Sequence, residues 1–425
     1  MRSEPLTTRS LRGVVACLLA FSALMALAPS SGAAQQLVLT NANVVDVETG
    51  EITPNAVIVV DDGKITSIGT GSPPANADRV IDLEGKYVTP GLMDAHVHIA
   101  SESQARLALR SGVTTARSMG AANYADVGLR DLIRGGYAEG PELLAAGFHV
   151  RPEPGEAFYL NHPDMAPYRA DGIRGTEAVG AMVTRVLDQG VDFIKTTSTE
   201  RAGLAETDPR KQLYWEDELR TMTDFAGARN VPVAAHAHGD AGGRAAVAAG
   251  VTSIEHGSYL SEVTLGMMVE RGTYLVPTIA IVTDLAEPGG DYDVTPLIVR
   301  GRHMLPRLRE TAANAHSMGV KMVAATDTGY GPGSIIRLSH ELQELVGIGM
   351  TPLEALQAAT TVAAELFGIE DRTGRLAVGY EADLVVVERN PLENIDVMQD
   401  ILLVVTDGRV AAQIGDWPGG RPVSE

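Results

Sequence analysis

The feature that most restricts the fold of this chain is the repeated alternation of short apolar runs and helix-forming stretches between residues 90 and 368. The apolar runs have the length of buried strands, and they cover residues 93–98, 113–118, 143–146, 193–196, 231–236, 253–256, 274–279 and 320–327. Amphipathic stretches such as 177–189, 217–229, 241–249 and 261–271 separate them. Eight such units predict an α/β fold with a (β/α)8 TIM-like barrel, and a doubly wound open sheet is the alternative.

Strands of another kind lie at both ends of the chain. Residues 37–46, 56–68, 382–388 and 401–410 alternate apolar and polar side chains, as half-buried strands do. They predict a small composite β-sandwich domain made of residues 35–89 and 369–425, with the barrel of residues 90–368 inserted between its halves. Residues 353–367 read as one amphipathic helix that leads back to this domain.

The first 34 residues read as a signal peptide for a secreted or periplasmic protein. Arg2, Arg9 and Arg12 precede an apolar stretch at residues 14–28, and small residues follow it. Cleavage is expected after Ala33 or Ala34, with an uncleaved anchor as the alternative. Cys17 is the one cysteine of the chain, so the mature protein is expected to have no disulfide and no thiolate ligand.

The charge of the chain restricts its partners. Its formal net charge is −20 at pH 7. An acidic surface disfavours nucleic acid and anionic membranes as partners. The expected partner is therefore a small molecule, with no membrane contact after signal cleavage.

Candidate metal ligands stand at the carboxyl ends of the apolar runs. His96 and His98 end the first run, Lys195 lies in the fourth, and His236, His256 and Asp327 end the fifth, sixth and eighth. In a barrel these ends meet at one mouth. Each residue alone has a plainer interpretation, such as a core histidine or, for Asp327, a helix cap. Lys195 would be costly to bury as a cation, which requires a carboxylate partner or a chemical modification.

Taken together, these motifs resemble the metal-dependent amidohydrolase superfamily, in particular its imidazolonepropionase-like and prolidase-like group. The resemblance covers nearly the whole mature chain and rests on the segments PGLMDAHVH, GVTTARSMG, DFIKTTSTE, VAAHAHG, SIEHGS, ATDTG, MTPLEALQAATTVAAELFG and GYEADLVVVERNPLENI. One departure is Ser118, where many members have Asp after the arginine matched by Arg117. This group includes dipeptidases, carboxypeptidase-like enzymes and ochratoxin-hydrolysing amidases.

The resemblance implies a binuclear metal centre. Two divalent ions, with Zn²⁺ favoured by the imidazole and oxygen ligands, would be held by His96, His98, Asp327 and a carboxylated Lys195, and by that carbamate with His236 and His256. A hydroxide between the two ions would attack the amide carbonyl, with Asp327 as base and then acid. His238 is expected to contact the substrate carbonyl or oxyanion. The resemblance also implies a homo-oligomer, with an octamer as one form.

The resulting prediction is a metal-dependent hydrolase that cleaves an amide bond of a dipeptide or N-acyl amino acid, ochratoxin A-type amides included. A cyclic-amide hydrolase of the imidazolonepropionase type is the alternative, and a metal-holding solute-binding protein is a non-enzymatic one. Long loops at residues 148–172 and 283–295 are expected to shape the pocket. Their Tyr159, Tyr168 and Tyr292 are candidate substrate contacts. The remaining histidines are predicted to be structural or at the surface: His149, His162, His303, His316 and His340.

Overall fold

The structure is a computed structural model and describes residues 36–414. The predicted signal peptide, Cys17 and the last residues of the predicted β domain lie outside these described residues. Within residues 36–414, no helix has both the length and the apolar character needed to cross a membrane.

Strands from both ends of the described chain form one mixed sheet. Its members are β1 (Leu37–Val45), β2 (Ile52–Asp61), β3 (Lys64–Gly69), β4 (Arg79–Asp82), β5 (Tyr87–Pro90), β13 (Leu384–Val387), β14 (Ile401–Thr406) and β15 (Arg409–Gln413). The order is β15-β14-β13-β5-β1-β2-β3, and β4 pairs with β1. The antiparallel pairing of β5 with β13 joins the two chain ends.

The sheet is continuous, whereas a sandwich of two sheets was predicted. Side chains of one face, including those of Leu39, Ile58, Leu384 and Leu403, form a common core. A sheet of this width twists, so one continuous sheet bends enough to enclose its own apolar face. On the other face, Val385 packs into the core of the central segment.

The central segment contains seven parallel strands in two sheets. One sheet contains β6 (Leu92–Val97), β7 (Val113–Ser118) and β8 (Glu142–Ala145), and the other contains β9 (Ile194–Thr197), β10 (Val233–Gly239), β11 (Ser253–Tyr259) and β12 (Tyr274–Val276). Each of the seven overlaps a predicted strand. A parallel bridge between Val150 and Thr196 connects the continuation of β8 with β9.

The eighth predicted strand, residues 320–327, is not a regular strand. It makes isolated parallel bridges on both sides, from Met322 to Leu275 and from Thr328 to Val97. Part of its hydrogen bonding goes elsewhere, because the N–H of Ala324 donates to the carbonyl of Ala358 at 2.9 Å. The segment still lies between β12 and β6, so the fold is TIM-barrel-like without a continuous eight-stranded ladder.

Helices alternate with these strands. They are α1 (Glu102–Arg110), α2 (Ala125–Arg134), α3 (Glu156–Asn161), α4 (Gly175–Leu187), α5 (Glu216–Gly227), α6 (Asp240–Ala249), α7 (Glu262–Arg271), α8 (Ile279–Ala286), α9 (Thr295–Met318), α10 (Leu338–Gly347), α11 (Pro352–Ala358) and α12 (Thr361–Phe367). Short 3₁₀ helices cover Ala122–Tyr124, Pro163–Tyr168 and Ile395–Gln399.

The single helix predicted over residues 353–367 is two helices. Thr360 leaves the helical region with φ −139° and ψ −92°, which separates α11 from α12. The break frees two carbonyls for the barrel: that of Ala358 accepts from Ala324, and that of Ala359 accepts from the N–H of Met93 at 2.8 Å. The helix ends early because the carbonyls of its last residues accept hydrogen bonds from the barrel and not from the next helical turn.

A buried carboxyl group gives the β domain a testable pH dependence. Asp383 accepts hydrogen bonds from Thr406 Oγ1 at 3.1 Å and from the N–H of Asp407 at 2.9 Å. Burial raises the pKa of Asp383 to about 7, from 3.8. A raised pKa in the folded state stabilises the fold below the unfolded pKa, and this contribution is lost as the pH rises through the folded pKa.

We therefore expect Asp383→Asn to flatten the decline in the free energy of unfolding between about pH 4 and pH 7, by at most roughly 1.4 kcal/mol per pH unit. Urea unfolding at a series of pH values measures this. Asp400→Asn, which changes an exposed carboxyl group, is the control. Parallel profiles for wild type and Asp383→Asn would contradict the assignment.

Candidate active site

The first group of candidate ligands joins the first strand of the barrel to its eighth segment. His96 and His98 stand at the end of β6, and period-two alternation turns both side chains to the same side. Their Nε2 atoms lie 3.3 Å and 3.1 Å from Oδ1 of Asp327. The N–H of Asp327 also donates to the carbonyl of His96 at 2.7 Å. The structure therefore brings these three predicted ligands together.

The second group consists of three histidines at the ends of β10 and β11. His236 and His238 alternate onto one side of β10, and His256 follows on β11. The ring centroids of His236 and His256 are 4.5 Å apart, and the ring of His238 stacks on that of His256 at 4.7 Å. His238 was predicted as a substrate contact, but its ring nitrogen lies as close to this group as a ligand would.

The two groups adjoin one another. Within each group, one possible ligand atom per residue lies within 4.8 Å of the others. The rings of His96 and His256, one from each group, are 5.1 Å apart. Imidazole and carboxylate donors in such clusters suit Zn²⁺ and other first-row divalent ions. The donor set therefore fits a metal centre with more than one ion.

Lys195 lies in the same cleft, at β9, and is 2% exposed. Its Nζ has no hydrogen-bond partner among the described residues. Burial lowers the pKa of Lys195 to about 8, although the charges of Glu255 and Asp327 oppose the shift. A buried amine without a partner is costly, and a lowered pKa leaves more of it neutral and nucleophilic. Both observations fit an amine that is chemically modified.

The imidazoles of the second group are held neutral. Desolvation lowers the pKa of His236 and of His256 well below the usual value, and neighbouring positive groups act in the same direction. Desolvation likewise lowers the pKa of His238 to about 3. Neutral imidazole is the form that ligates metals, so these side chains need no proton loss at neutral pH.

Hydroxyl groups orient two of these rings. Nδ1 of His256 contacts Thr278 Oγ1 at 2.7 Å, and Nδ1 of His238 contacts Ser258 Oγ at 2.8 Å. Occupying Nδ1 leaves Nε2 available to a ligand in the cleft. The hydroxyl groups thus fix which nitrogen of each ring is free.

A buried carboxylate that was not predicted from the sequence supports the first group. Glu255 is fully buried, and its Oε2 lies 2.8 Å from Nδ1 of His96. Its Oε1 accepts from Arg117 Nη2 at 3.1 Å and from Ser253 Oγ at 2.6 Å. Desolvation alone would raise the pKa of Glu255, but Arg117 and His96 bring it down to about 2. A carboxylate behind a ligating histidine fixes the ring and strengthens it as a ligand.

The departure at Ser118 leaves this support intact. The hydroxyl of Ser118 donates to the carbonyl of Ile99 at 3.0 Å, and the guanidinium of Arg117 still reaches Glu255. Arg117 Nε donates to the carbonyl of Ala95 at 2.9 Å, one residue before His96. Ser118 therefore bonds to the backbone of Ile99, directly after His98.

Three residues of the site have left-handed backbone. The φ angles are 75° at His256, 49° at Thr278 and 57° at Asp327. None is glycine, and side-chain-bearing residues adopt this region at a cost of order 1–3 kcal/mol each. Such strain is typical of functional sites, and here it turns the side chains of the eighth segment and of β11 into the cleft.

The cleft is partly open to solvent. Besides the predicted ligands its wall contains Thr197, the last residue of β9, and loop residues that include His149, Arg201 and Tyr292. His149 was predicted to be structural, but its ring lies 6.1 Å from that of His98. It follows β8 directly, which was the sequence signal for it.

Of the three loop tyrosines predicted to contact the substrate, one lines the cleft and two do not. Tyr292 reaches the cleft, whereas Tyr159 packs under Arg169 and Tyr168 bonds to Glu177. Neither of these two tyrosines lines the cleft. The remaining predicted structural histidines, His162, His303, His316 and His340, are likewise absent from its wall.

The candidate metal ligands meet at the carboxyl ends of the barrel strands, which is where barrel enzymes have their active sites. Residues 87–411 match the amidohydrolase family. The chain belongs to this family and is a hydrolase that acts on amide bonds.

Similar proteins have several activities. The chain is 26% identical over 400 residues to an ochratoxinase of Aspergillus niger, across 83% of this chain and 81% of the relative. It is 28% identical to an imidazolonepropionase of Rhizobium rhizogenes, across 79% and 87%. The crystal structure of a Xaa-Pro dipeptidase with methionine bound in the active site is similar with a TM-score of 0.77 and 28% identity, across 88% of this chain and 99% of that one.

The support that Glu255 gives to His96 can be tested through metal affinity. We expect Glu255→Gln to weaken binding of Zn²⁺ by about 10–100-fold, because a neutral amide orients and polarises the imidazole less than a carboxylate does. Competition with a chromogenic chelator measures the affinity. Glu262→Gln, on the exposed start of α7, is the matched control. Equal affinities for both variants would contradict the role of Glu255.

Proposed function

We propose that this protein is a binuclear metal-dependent amidohydrolase that releases the carboxyl-terminal residue of a dipeptide or an N-acyl amino acid. The observation that carries the proposal is the pair of adjoining ligand groups with the buried, unpartnered amine of Lys195 beside them. The two groups and Lys195 offer seven donors from five segments of the chain, which is more than a single ion needs.

The proposed centre uses the residues already described. His96, His98 and Asp327 would hold one ion and His236 with His256 the other, with Lys195 as an N6-carboxylated ligand to both. His238 is a substrate contact in this proposal, and its place beside His236 and His256 makes it an alternative ligand. Bound divalent ions would supply an acidified water molecule and a polarised amide carbonyl.

The protein's own groups would move the proton. Asp327 accepts it from the attacking water and returns it to the amide nitrogen, which is a poor leaving group until it is protonated. Burial would raise the pKa of Asp327, but the charges and hydrogen bonds of His96 and His98 hold it well below the usual value. The carboxylate is therefore ionised and ready to accept a proton at neutral pH.

His238 is suited to the carbonyl side of the reaction. Its Nδ1 is engaged by Ser258, and its ring lines the cleft beside His256. A neutral imidazole whose other nitrogen faces the cleft can donate to a developing oxyanion. Desolvation lowers the pKa of His238, so the ring is neutral at neutral pH and does not repel the bound cations.

The similar proteins and the cleft support the proposed substrate class. The similar proteins include an ochratoxinase and a Xaa-Pro dipeptidase, whose structure holds methionine in its active site. Basic side chains stand at the edge of the cleft in this chain.

A cyclic-amide hydrolase of the imidazolonepropionase type is the second candidate, because a relative of that activity aligns over 79% of the chain. Secretion or export to the periplasm remains a prediction from the first 34 residues.

The metal centre gives the first test. We expect about two divalent ions per chain in protein purified without chelator, and a loss of metal in Lys195→Ala, because the proposed carbamate joins both ions. Inductively coupled plasma mass spectrometry measures the content. Lys321→Ala removes an exposed amine and is the control. One ion or none in wild type would contradict the binuclear proposal.

A substrate panel gives the second test. Metal-loaded protein should hydrolyse members of a panel of dipeptides, N-acyl amino acids and ochratoxin A, measured by release of the free amino acid. Asp327→Asn should lower kcat by about 100-fold or more, because general acid–base catalysis contributes roughly 10²–10⁴-fold. Asp293→Asn, in an exposed part of the loop before α9, is the control. A cyclic amide is assayed beside the panel, and turnover of it with none of the panel members would favour the second candidate.

A further inference from the structure

Two arginines stand at the edge of the metal cleft. Arg201, in the loop after β9, lines the cleft itself, and Arg151, shortly after β8, lines the space that adjoins it. The two spaces share a wall that includes His98, Tyr292 and Asp327. A molecule whose amide lies among the histidines can therefore reach both guanidinium groups.

Neither arginine has a carboxylate partner within residues 36–414. Nε of Arg151 is buried without a hydrogen-bond partner there, and its Nη2 makes only a 3.4 Å contact with the carbonyl of Pro154. Arg201 is half-buried and makes no side-chain hydrogen bond or ion pair in the described chain. Leaving a partly buried charge without an ion pair is costly, and no carboxylate of residues 36–414 forms one with Arg151 or Arg201, so both can accept a ligand anion.

The lack of an ion pair at Arg151 and Arg201 contrasts with other arginines of the molecule. The chain has 54 acidic and 34 basic residues, so carboxylates are abundant. Other arginines use them: Arg210, in the same loop as Arg201, pairs with Asp208, and Arg130 pairs with Asp192. Two carboxylates do stand near Arg151, but neither forms an ion pair with it: Glu153 acts on it only through its charge, and Glu156, which lines the adjoining space, pairs with Arg169.

The two charges also act on each other. Burial lowers the pKa of Arg151, and the positive charge of Arg201 lowers it further. An anion bound between them would relieve the repulsion. Guanidinium groups match a carboxylate with two parallel N–H donors.

The loop that carries Arg201 is held in place. Arg300, on α9, donates to the carbonyls of Ala202 at 2.7 Å, Ala205 at 3.1 Å and Thr207 at 2.5 Å, and also to that of Leu204. Thr207 Oγ1 donates to the carbonyl of Arg201 at 2.5 Å. Tyr292 lies so close to Gly203 that a Cβ there would be 3.2 Å from its ring. The loop is thus preorganised, which lowers the entropic cost of binding.

Arg151 is fixed from its other side. The N–H of Val150 donates to the carbonyl of Lys195 at 2.8 Å, so the backbone before Arg151 is bonded to the strand of the buried lysine. The carbonyl of Pro152 accepts from the N–H of Ile173 at 2.8 Å. Both arginines therefore stand on backbone that is tied to the barrel.

We propose that Arg201 and Arg151 bind the free carboxylate of the residue that is released, and so restrict the enzyme to substrates with a carboxylate beside the scissile amide. This inference rests on the proposed amidohydrolase function and adds the residues that recognise the substrate. Loss of the carboxylate leaves the two cations without an anion, and uncharged amides are selected against for that reason.

The test compares a free acid with its neutral analogue. The best free-acid substrate of the panel and its C-terminal carboxamide are assayed with wild type, Arg201→Met, Arg201→Lys and Arg151→Met. Wild type should prefer the acid. Arg201→Met should lower kcat/KM for the acid by about 10-fold or more and change it for the carboxamide by less than about 3-fold, and Arg201→Lys should restore part of the loss. Arg151→Met should act in the same direction.

Arg210→Met is the matched control, since it removes an exposed charge from the same loop and should leave the preference unchanged. An equal loss on acid and carboxamide in Arg201→Met, or an unchanged preference, would overturn the proposal. Wild type that hydrolyses acid and carboxamide equally well would overturn it too, while the amidohydrolase function would stand.

A binding measurement separates the carboxylate site from catalysis. Calorimetric titration with L-methionine should give a dissociation constant about 10-fold or more weaker for Arg201→Met than for wild type. If no member of the panel is hydrolysed, the proposed function fails and this titration still decides the site. Equal affinity for wild type and Arg201→Met would overturn the carboxylate site.

Discussion

The site depends on the contact between the first strand of the barrel and its eighth segment. Asp327 donates its N–H to the carbonyl of His96, and its carboxylate lies against His96 and His98. Behind this contact Asp94 is fully buried and accepts from Thr326 Oγ1 at 2.7 Å and from Tyr330 OH at 2.9 Å. Together with the bridge between Val97 and Thr328, these bonds align the first strand with the eighth segment and bring the first ligand group together.

The same contact explains why the eighth segment is irregular. A strand whose N–H groups bond to a carboxylate and to the carbonyl of a helix end cannot also complete a ladder. The N–H of Thr326 donates to Asp94 Oδ1 at 3.0 Å, and that of Ala324 donates to Ala358. The irregularity brings Asp327 into the left-handed region, where its carboxylate points at the histidines. The eighth segment therefore lacks regular strand pairing at the position where Asp327 enters the site.

Period-two alternation and strand ends predicted most of the site. They placed His96 with His98 and His236 with His238 on common sides, and the cost of a buried amine singled out Lys195. Glu255 was not predicted as a site residue because neighbouring residues of a strand point to opposite faces. A glutamate next to His256 is therefore expected to face away from the site. The φ of 75° at His256 breaks that alternation. Arg201 and Tyr292 stand on loops, whose course is set by tertiary contacts such as those of Arg300.

Charge links the ligand groups to the edge of the cleft. The described imidazoles of the second group are neutral, and Glu255 is matched by Arg117. Arg201 and Arg151 stand at the edge of the cleft without an ion pair in the described chain, although the net charge of the whole chain is −20. Carboxylation of Lys195 would turn that amine into a ligand anion. The two arginines would still lack an ion pair, and the carboxylate of the proposed substrate would supply the partner that Glu153 and Glu156 do not.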